Sequence, residues 1–270
     1  MDSVSLHCLG VGDGTASTGR NHSAYLYSFD GTRILIDCGE PVGRSLKTAG
    51  IDANAVDTIF ISHLHSDHIG GLLMLLQGWW LDDRRKALPI VMPRDGIEPL
   101  RQIVRTAYLF DEILPFRLSF EAIRAREPLQ LPVGAQQASK SPARVTLYPT
   151  THLDRARKNF QALYPGDYAA YSFLFETESR RIAHSADIGA PHDLDPLLAA
   201  PVDLLVCELA HFKPQELFEY LRGHAIKRVV LTHVTRYDWE NNMDELRRMA
   251  EQTLADTSVS FAKDGFVVQL

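Results

Sequence analysis

Short apolar and β-branched runs alternate along the chain with longer segments whose apolar residues recur at helical spacing. A strand turns successive side chains to opposite faces, whereas a surface helix repeats its apolar positions every three or four residues, so the two patterns differ in period. The alternation predicts an α/β protein in which helices cover the faces of sheets. Strands are predicted at Ala24–Phe29, Arg33–Ile36, Thr58–Ile61, Val145–Tyr148, Ala170–Phe175, Leu204–Val206 and Arg228–Leu231.

Helices are predicted between these strands. In the segment Lys213–Arg222, Pro214 stands near the start, apolar side chains share one face and a glycine follows the end, which is typical of a complete helix. Another helix is predicted to begin near Ile69. Pro128–Pro142 has the composition of a surface loop, and no linker-like run divides the chain. We therefore predict one domain over residues 1–270.

Composition limits the compartment and the partners. The formal net charge of -6 argues against a broadly basic surface, so contact with nucleic acid would need a local basic patch. The three cysteines have no Cys-x-x-Cys spacing, which favours a reducing cytoplasm over a disulfide framework. The longest apolar run, Ile69 to Leu81, is too short to cross a bilayer and contains Gln77 and Gly78. We expect a cytoplasmic protein that does not contact membranes.

Several predicted strands are followed closely by residues of types that bind metals. Ligands of α/β proteins gather at strand ends, so these residues are expected to meet at one place. Two of the segments, Ile61-Ser62-His63 and Leu231-Thr232-His233, are near copies, which suggests two similar halves that each contribute ligands. The strand-end residues are Asp37, His63, His152, Asp187 and His233.

The densest cluster is His63-Leu64-His65-Ser66-Asp67-His68. Residues two apart in an extended chain point to the same side, so His63 and His65 can reach one ion. Asp67 and His68 stand where the chain turns toward the next helix, and they can reach a second ion nearby. Imidazole and carboxylate ligands suit Zn²⁺, with Mn²⁺ or Fe²⁺ as alternatives. The sequence therefore predicts two divalent metal ions, with Zn²⁺ favoured.

The order of these residues along the chain resembles the motif series of the metallo-β-lactamase superfamily, and the resemblance spans residues 37–233. It implies a four-layer αββα sandwich with a dinuclear metal site between the two sheets. In this reading Asp37 organises the site from behind the ligands and Asp187 bridges the two metals. The resemblance assigns His63, His65 and His152 to one metal, and Asp67, His68 and His233 to the other.

Further segments are similar to ribonuclease Z and related phosphodiesterases. Leu9–Gly14 with Gly19–Ser23 is similar to the N-terminal Gly-rich turn and Arg-Asn segment of that family, and Val229–Tyr237 resembles its last metal motif. Glu208 and His211 resemble a strand-end glutamate and a following histidine that transfer a proton. The resemblance implies phosphodiester hydrolysis by a metal-bridging hydroxide. The catalytic residues that it implies are Asp67, Glu208 and His211.

The chain departs from classical ribonuclease Z in two places. The spacing between Glu208 and His211 is shorter than in that family. The segment between His152 and Asp187 is too short for the long Gly-Pro-rich arm that grips transfer RNA. A smaller phosphodiester, such as a cyclic nucleotide or a short oligonucleotide, is therefore the expected substrate. Arg155, Arg157 and Lys158 follow His152 and could contact flanking phosphates, although such clusters are more often solvated surface charge.

Alternatives remain open at this point. The same metals could hydrolyse a carboxylic ester, thioester, lactone or lactam, in which case Glu208 and His211 would be incidental. A non-catalytic protein that binds a metal or a metabolite is a further alternative, although the complete ligand set argues against it. Relatives of this fold often pair, which implies a homodimer. The apolar run Leu72–Leu81 fits either a buried helix or a dimer surface.

Overall fold

The computed structural model describes residues 3–132 and 142–270. Its strands are β1 Val4–Gly10, β2 Ala24–Phe29, β3 Thr32–Ile36, β4 Thr58–Phe60, β5 Leu88–Met92, β6 Leu118–Ala122, β7 Leu129–Gln130, β8 Arg144–Pro149, β9 Tyr171–Glu176, β10 Arg181–His184, β11 Leu204–Leu209, β12 Arg228–Val234, β13 Ser258–Phe261 and β14 Phe266–Gln269. Its α-helices are α1 Val42–Thr48, α2 Ser66–Ile69, α3 Leu72–Leu81, α4 Arg94–Thr106, α5 Asp154–Phe160, α6 Pro214–Leu221, α7 Arg236–Asn241 and α8 Met243–Thr253, and Pro191–Leu194 forms a 3₁₀ turn.

The described strands form two 7-stranded mixed sheets. The first has the order β14-β1-β2-β3-β4-β5-β6, and the second has the order β13-β12-β11-β10-β9-β8-β7. In each sheet an antiparallel part joins a parallel part, which runs from β3 to β6 in the first and from β10 to β13 in the second. Of the near-copy segments, Ile61-Ser62-His63 directly follows β4 of the first sheet, and Leu231-Thr232-His233 lies within β12 of the second.

The two sheets pack face to face, and helices cover their outer faces. Side chains such as Tyr27, Phe175 and Val230 fill the space between the sheets. A second core joins the first sheet to α1, α3 and α4, and a third joins the second sheet to α6 and α8. Burial of apolar surface on both sides of each sheet stabilises this four-layer αββα arrangement, which confirms the predicted fold class.

The predicted strands agree with β2, β3, β4, β8, β9, β11 and β12 to within a few residues, and Lys213–Arg222 contains α6. The helix predicted to begin near Ile69 corresponds to α3, whose start lies slightly later in the chain. The chain first makes the short helix α2, and α3 begins only at Leu72. The break arises because the His68 carbonyl accepts from Cys38 N at 2.7 Å and Gly71 N donates to the Cys38 carbonyl at 2.8 Å, which ties this segment to the end of β3.

The loop predicted at Pro128–Pro142 is only partly correct. Leu129 and Gln130 form β7, because their backbones pair with Val145 and Arg144 of β8. Residues 133–141 of this prediction lie outside the described residues.

Helix α3 has two different faces. Leu72, Leu75 and Trp79 are buried against the first sheet, whereas Met74 and Leu81 are 68% and 70% exposed. The apolar run is thus a core helix on one side only, and the homodimer stays a prediction. In the part of the chain that the structure describes, no helix combines the length and apolar character needed to cross a membrane.

Candidate metal centre

The loops that follow the central strands of both sheets meet at one edge of the sandwich, around the carboxylate of Asp187. Its Oδ2 atom lies 3.4 Å from His68 Nε2, 3.5 Å from His233 Nε2 and 3.7 Å from both His63 Nε2 and His152 Nε2. Ligand atoms at the corners of a tetrahedral zinc site stand about 3.3 Å apart, as follows from Zn–N and Zn–O bonds of 2.0–2.1 Å. The spacing around Asp187 is close to this value.

All of the predicted ligands come together in this centre. Their potential ligand atoms form two clusters in which every pair lies within 4.8 Å. The first cluster contains His63, His65, His152 and Asp187, and the second contains Asp67, His68 and His233. This is the division implied by the sequence resemblance, with Asp187 also close to the second cluster.

Two buried nitrogen atoms in this centre have no hydrogen-bond partner, namely Nε2 of His63 and Nε2 of His68. An unpaired buried polar atom is costly, and a cation that accepts its lone pair removes the cost. A lone pair is free on Nε2 when the proton of the ring is on Nδ1, and the hydrogen-bond partners of Nδ1 favour this tautomer. His68 Nδ1 donates to Asp37 Oδ2 at 2.7 Å, and His63 Nδ1 lies 3.0 Å from Ser62 Oγ. The residues therefore fit a metal centre.

Asp37 supports the cluster from behind, as the sequence resemblance implies. Its carboxylate is fully buried and also accepts from the backbone N–H and the hydroxyl of Ser62, at 2.7 and 2.8 Å. Asp37 thus fixes the end of β4 and the His68 ring at the same time. Hydrogen bonds of this kind orient metal-binding imidazoles and set their tautomer.

A β-bulge directs His233 into the centre. Along β11 and β12, Glu208 pairs with Thr232 while Leu209 pairs with Val234, so His233 is the extra residue and has a φ of 48°. A bulge turns a side chain out of the regular alternation of its strand. His233 Nδ1 is hydrogen-bonded to Ser23 Oγ at 3.0 Å, which leaves Nε2 facing Asp187.

The N-terminal Gly-rich segment holds this bulge in place. The side chain of Arg20 is buried, and its Nη1 donates to the Val234 carbonyl at 2.6 Å. The guanidinium also lies over the Trp239 ring at 4.9 Å from the centroid. This segment, which resembles ribonuclease Z, therefore fixes the position of His233.

One carboxylate joins the loop of His152 to the loop of Asp187. Asp193 Oδ2 accepts from Thr151 N and Thr151 Oγ1, both at 2.9 Å, and from Gly189 N at 2.8 Å. Thr151 directly precedes His152, and Gly189 follows Asp187 by two positions. Asp193 was not among the predicted site residues, because nothing in its local sequence distinguishes it from a surface aspartate in a turn.

The electrostatics of the cluster match a site for cations. Burial by itself raises the pKa of Asp67, but the hydrogen bond and charge of His68 outweigh burial and hold the pKa at about 2. Burial likewise acts to raise the pKa of Asp187, and the surrounding histidines reverse the shift and hold it well below the ordinary value. Burial lowers the pKa of His152 to about 4. Burial acts to lower the pKa of His68, but the charges of Asp187 and Asp37 reverse the shift and raise this pKa well above its ordinary value. Because carboxylates bind metals in the ionised form and imidazoles in the neutral form, a metal bound here would displace a proton from His68.

Glu208 and His211 lie at the rim of the same centre. His211 Nδ1 is 2.8 Å from Glu208 Oε1, and its Nε2 is 3.9 Å from Asp187 Oδ2. Glu208 is buried and also accepts from Ile188 N at 3.0 Å, so it is fixed to the Asp187 loop. Burial lowers the pKa of His211, but the hydrogen bond and charge of Glu208 outweigh it and raise the pKa to about 9.

Solved structures and curated relatives agree with this architecture. The metallo-β-lactamase fold protein YhfI from Bacillus subtilis matches over 100% of both chains, with a TM-score of 0.77 and 22% identity. The short form of human tRNase Z matches over 98% of both chains, with a TM-score of 0.69 and 21% identity. Ribonuclease Z of Archaeoglobus fulgidus is 26% identical over 292 residues, which cover 91% of this chain and 93% of that protein.

The fold, these relatives and the His/Asp clusters define the chain as a metal-dependent hydrolase of the metallo-β-lactamase fold, similar to ribonuclease Z. This confirms the resemblance drawn from the sequence. The family model of the anti-Pycsar protein Apyc1 matches residues 4–253, and the chain belongs to that family.

Proposed function

We propose that this hydrolase is a dinuclear phosphodiesterase that cleaves a small nucleotide phosphodiester, such as a cyclic nucleotide or a short oligonucleotide. The relatives named ribonuclease Z and tRNase Z support phosphodiester chemistry. The short segment between His152 and Asp187 supports a substrate smaller than transfer RNA. Zn²⁺ is the favoured metal because imidazole and carboxylate ligands suit it, with Mn²⁺ or Fe²⁺ as alternatives.

In this proposal His63, His65 and His152 hold one metal, Asp67, His68 and His233 hold the other, and Asp187 lies between them. Two cations bound there would activate a water, orient the phosphodiester and neutralise its charge. Asp37, Ser23 and Ser62 keep the imidazole rings oriented through the hydrogen bonds described above. Asp67 is also proposed as a catalytic residue, as the sequence resemblance implies, and its side chain is only half-buried.

The position of His211 carries the proposal. Its Nδ1 is fixed by the buried carboxylate of Glu208, so Nε2 faces the centre from a constant direction. Cleavage of a phosphodiester with a poor leaving group requires a proton donor for the departing oxygen. A histidine held by a carboxylate beside the metal cluster meets this requirement, and Glu208 keeps its ring oriented through the reaction.

The first test is hydrolysis of bis(p-nitrophenyl) phosphate with and without added Zn²⁺ or Mn²⁺, beside nitrophenyl esters, lactones and β-lactams. Metal-dependent cleavage of the diester together with inert carbonyl substrates is the expected result. Cleavage of carbonyl substrates alone would overturn the proposal in favour of an ester, thioester, lactone or lactam hydrolase.

The second test separates proton donation by His211 from metal binding. The His211→Ala variant is expected to lose about 10²–10⁴-fold in kcat on a diester with an alkoxide leaving group, and much less on a nitrophenolate diester that needs no acid. Its metal content should equal that of the wild type. The matched control is His224→Ala, because His224 lies outside the centre and is hydrogen-bonded to the Tyr220 carbonyl.

Two results of this second test would contradict the role of His211. Since His211 Nε2 also lies within 4.8 Å of ligand atoms of Asp187 and His233, a loss of one metal per chain in His211→Ala would identify it as a ligand. An equal loss of kcat on both leaving groups would also exclude proton donation.

A further inference from the structure

A row of apolar side chains is exposed on the segment that directly follows the metal-binding loop of His152. Phe160 ends α5 and is 49% exposed, and Leu163 and Tyr164 in the next turn are 74% and 68% exposed. Large apolar side chains that stay together in solvent mark binding surfaces more often than isolated ones do. We call Phe160, Leu163 and Tyr164 the apolar lip.

The backbone of the lip forms a hydrogen-bonded turn. The Phe160 carbonyl accepts from Leu163 N at 2.9 Å and from Tyr164 N at 2.8 Å, which closes a tight turn. The Tyr168 hydroxyl donates to the Tyr164 carbonyl at 2.8 Å, and Gln161 Nε2 donates to the Gly166 carbonyl at 3.1 Å. These bonds fix the backbone of the lip while its side chains face solvent, so the backbone needs little ordering when the lip binds a ligand.

The segment that carries the lip, residues 154–171, is anchored to loops of the metal centre at both ends and in the middle. At its start, α5 begins two residues after His152. At its end, Tyr171 N donates to the Ser62 carbonyl at 3.1 Å, next to His63. In the middle, the Asp95 carboxylate accepts from the backbone N–H groups of Asp167 and Tyr168.

Asp95 ties this middle part to the motif of the metal ligands. The next residue, Gly96, lies so close to the Leu64 side chain that a Cβ on Gly96 would stand 2.5 Å from Leu64 Cδ2. Leu64 separates His63 from His65 in sequence. The segment that carries the lip is therefore attached to the His63–His68 motif through α4.

The charge of α5 indicates the kind of ligand. Arg157 is paired with Asp154 at 2.9 Å, but Arg155 and Lys158 are exposed and form no ion pair with any residue that the structure describes. They are spaced three positions apart, so they lie near each other on the helix surface. This segment thus carries both exposed cations and exposed aromatic rings, and a nucleotide suits such a surface because its base stacks on aromatic rings and its phosphate is attracted by cations.

We propose that the apolar lip binds the base of a nucleotide phosphodiester while the phosphodiester lies in the metal centre, with Arg155 and Lys158 attracting its negative charge. The proposal rests on the proposed function and specifies its substrate class. In a chain with no long arm between His152 and Asp187, this short rigid segment supplies the contacts to the part of the substrate that is not cleaved.

The test compares two diesters with the same leaving group, thymidine 5′-(p-nitrophenyl) phosphate and methyl p-nitrophenyl phosphate, which lacks a base. In the double variant Phe160→Ala, Tyr164→Ala, KM for the thymidine diester is expected to rise by about tenfold, the effect of losing base–aromatic stacking. KM for the methyl diester and kcat for both should not change. The matched control is Leu81→Ala, because Leu81 is equally exposed at the far end of α3.

Each contrary outcome has a distinct meaning. An equal change in KM for both diesters, or no change for either, would overturn the role of the lip while leaving the phosphodiesterase proposal intact. A change in sedimentation coefficient without a change in KM would also overturn it, because the lip would then be a contact between two copies of the chain. If the wild type cleaves neither diester, the proposed function fails and the lip proposal fails with it.

Discussion

Replacing Asp193 by alanine tests whether the geometry of the metal centre depends on the link between its loops. The variant removes a buried carboxylate that accepts three hydrogen bonds on Oδ2, two from Thr151 and one from Gly189. A hydrogen bond to a charged group contributes about 1.5–3 kcal/mol, and the three share one acceptor that water can partly replace. We therefore expect a loss of about 3 kcal/mol in the free energy of unfolding.

The metal centre should be affected in addition, because Thr151 and Gly189 stand next to the loops of His152 and Asp187. Residues that orient metal ligands typically change metal affinity by about 10–100-fold when they are mutated, and we expect a loss in this range for Asp193→Ala. Competition with a chromophoric chelator measures the affinity, and urea unfolding of the metal-free protein measures the stability separately.

Two further variants complete this experiment. Asp193→Asn should recover most of the metal affinity, because its amide oxygen can accept the same hydrogen bonds. Asp195→Ala is the matched control, since among the described residues the Asp195 side chain accepts a hydrogen bond from the Tyr220 hydroxyl alone, and this bond is exposed. If Asp193→Ala is less stable but binds metal as tightly as the wild type, the carboxylate only supports the fold and the reasoning about the centre is refuted.

Three other predictions concern metal content, pH and thiol reactivity. Asp67→Ala should bind one metal per chain by elemental analysis, and a content of two would contradict its place in the second cluster. Burial lowers the pKa of His184 from its ordinary value of 6.5 to about 3. Below pH 6.5 the unfolded state therefore binds a proton that the folded state does not bind, and the free energy of unfolding falls as the pH drops. The free energy of unfolding falls by about 1.4 kcal/mol per pH unit for this one group. In His184→Phe, the free energy of unfolding should therefore fall less steeply with decreasing pH than in the wild type, by the same amount per pH unit. Cys8, Cys38 and Cys207 are fully buried and burial raises the pKa of each thiol, so a thiol reagent should label them only after denaturation, and rapid labelling of the native protein would contradict their burial.

The fold class and the composition of the metal centre followed from local patterns. The period of apolar residues located most central strands, because burial imposes that period on each strand separately. Asp37, His63 and His233 were found because they follow such strands, and strand ends of a parallel sheet meet at one edge. The pairing of Glu208 with His211 was implied by the resemblance to ribonuclease Z, although their spacing is shorter than in that family.

Other features depended on contacts between segments far apart in the chain. The break between α2 and α3 comes from hydrogen bonds to Cys38, and the bulge at His233 appears only when β12 is paired with β11. The role of Asp193 and the position of the apolar lip likewise come from packing between separate loops. The sequence by itself thus determined which residues are available to bind metal and which predicted strands they follow. Only the tertiary structure decided their orientation and support, because these depend on hydrogen bonds whose partners no local pattern can specify.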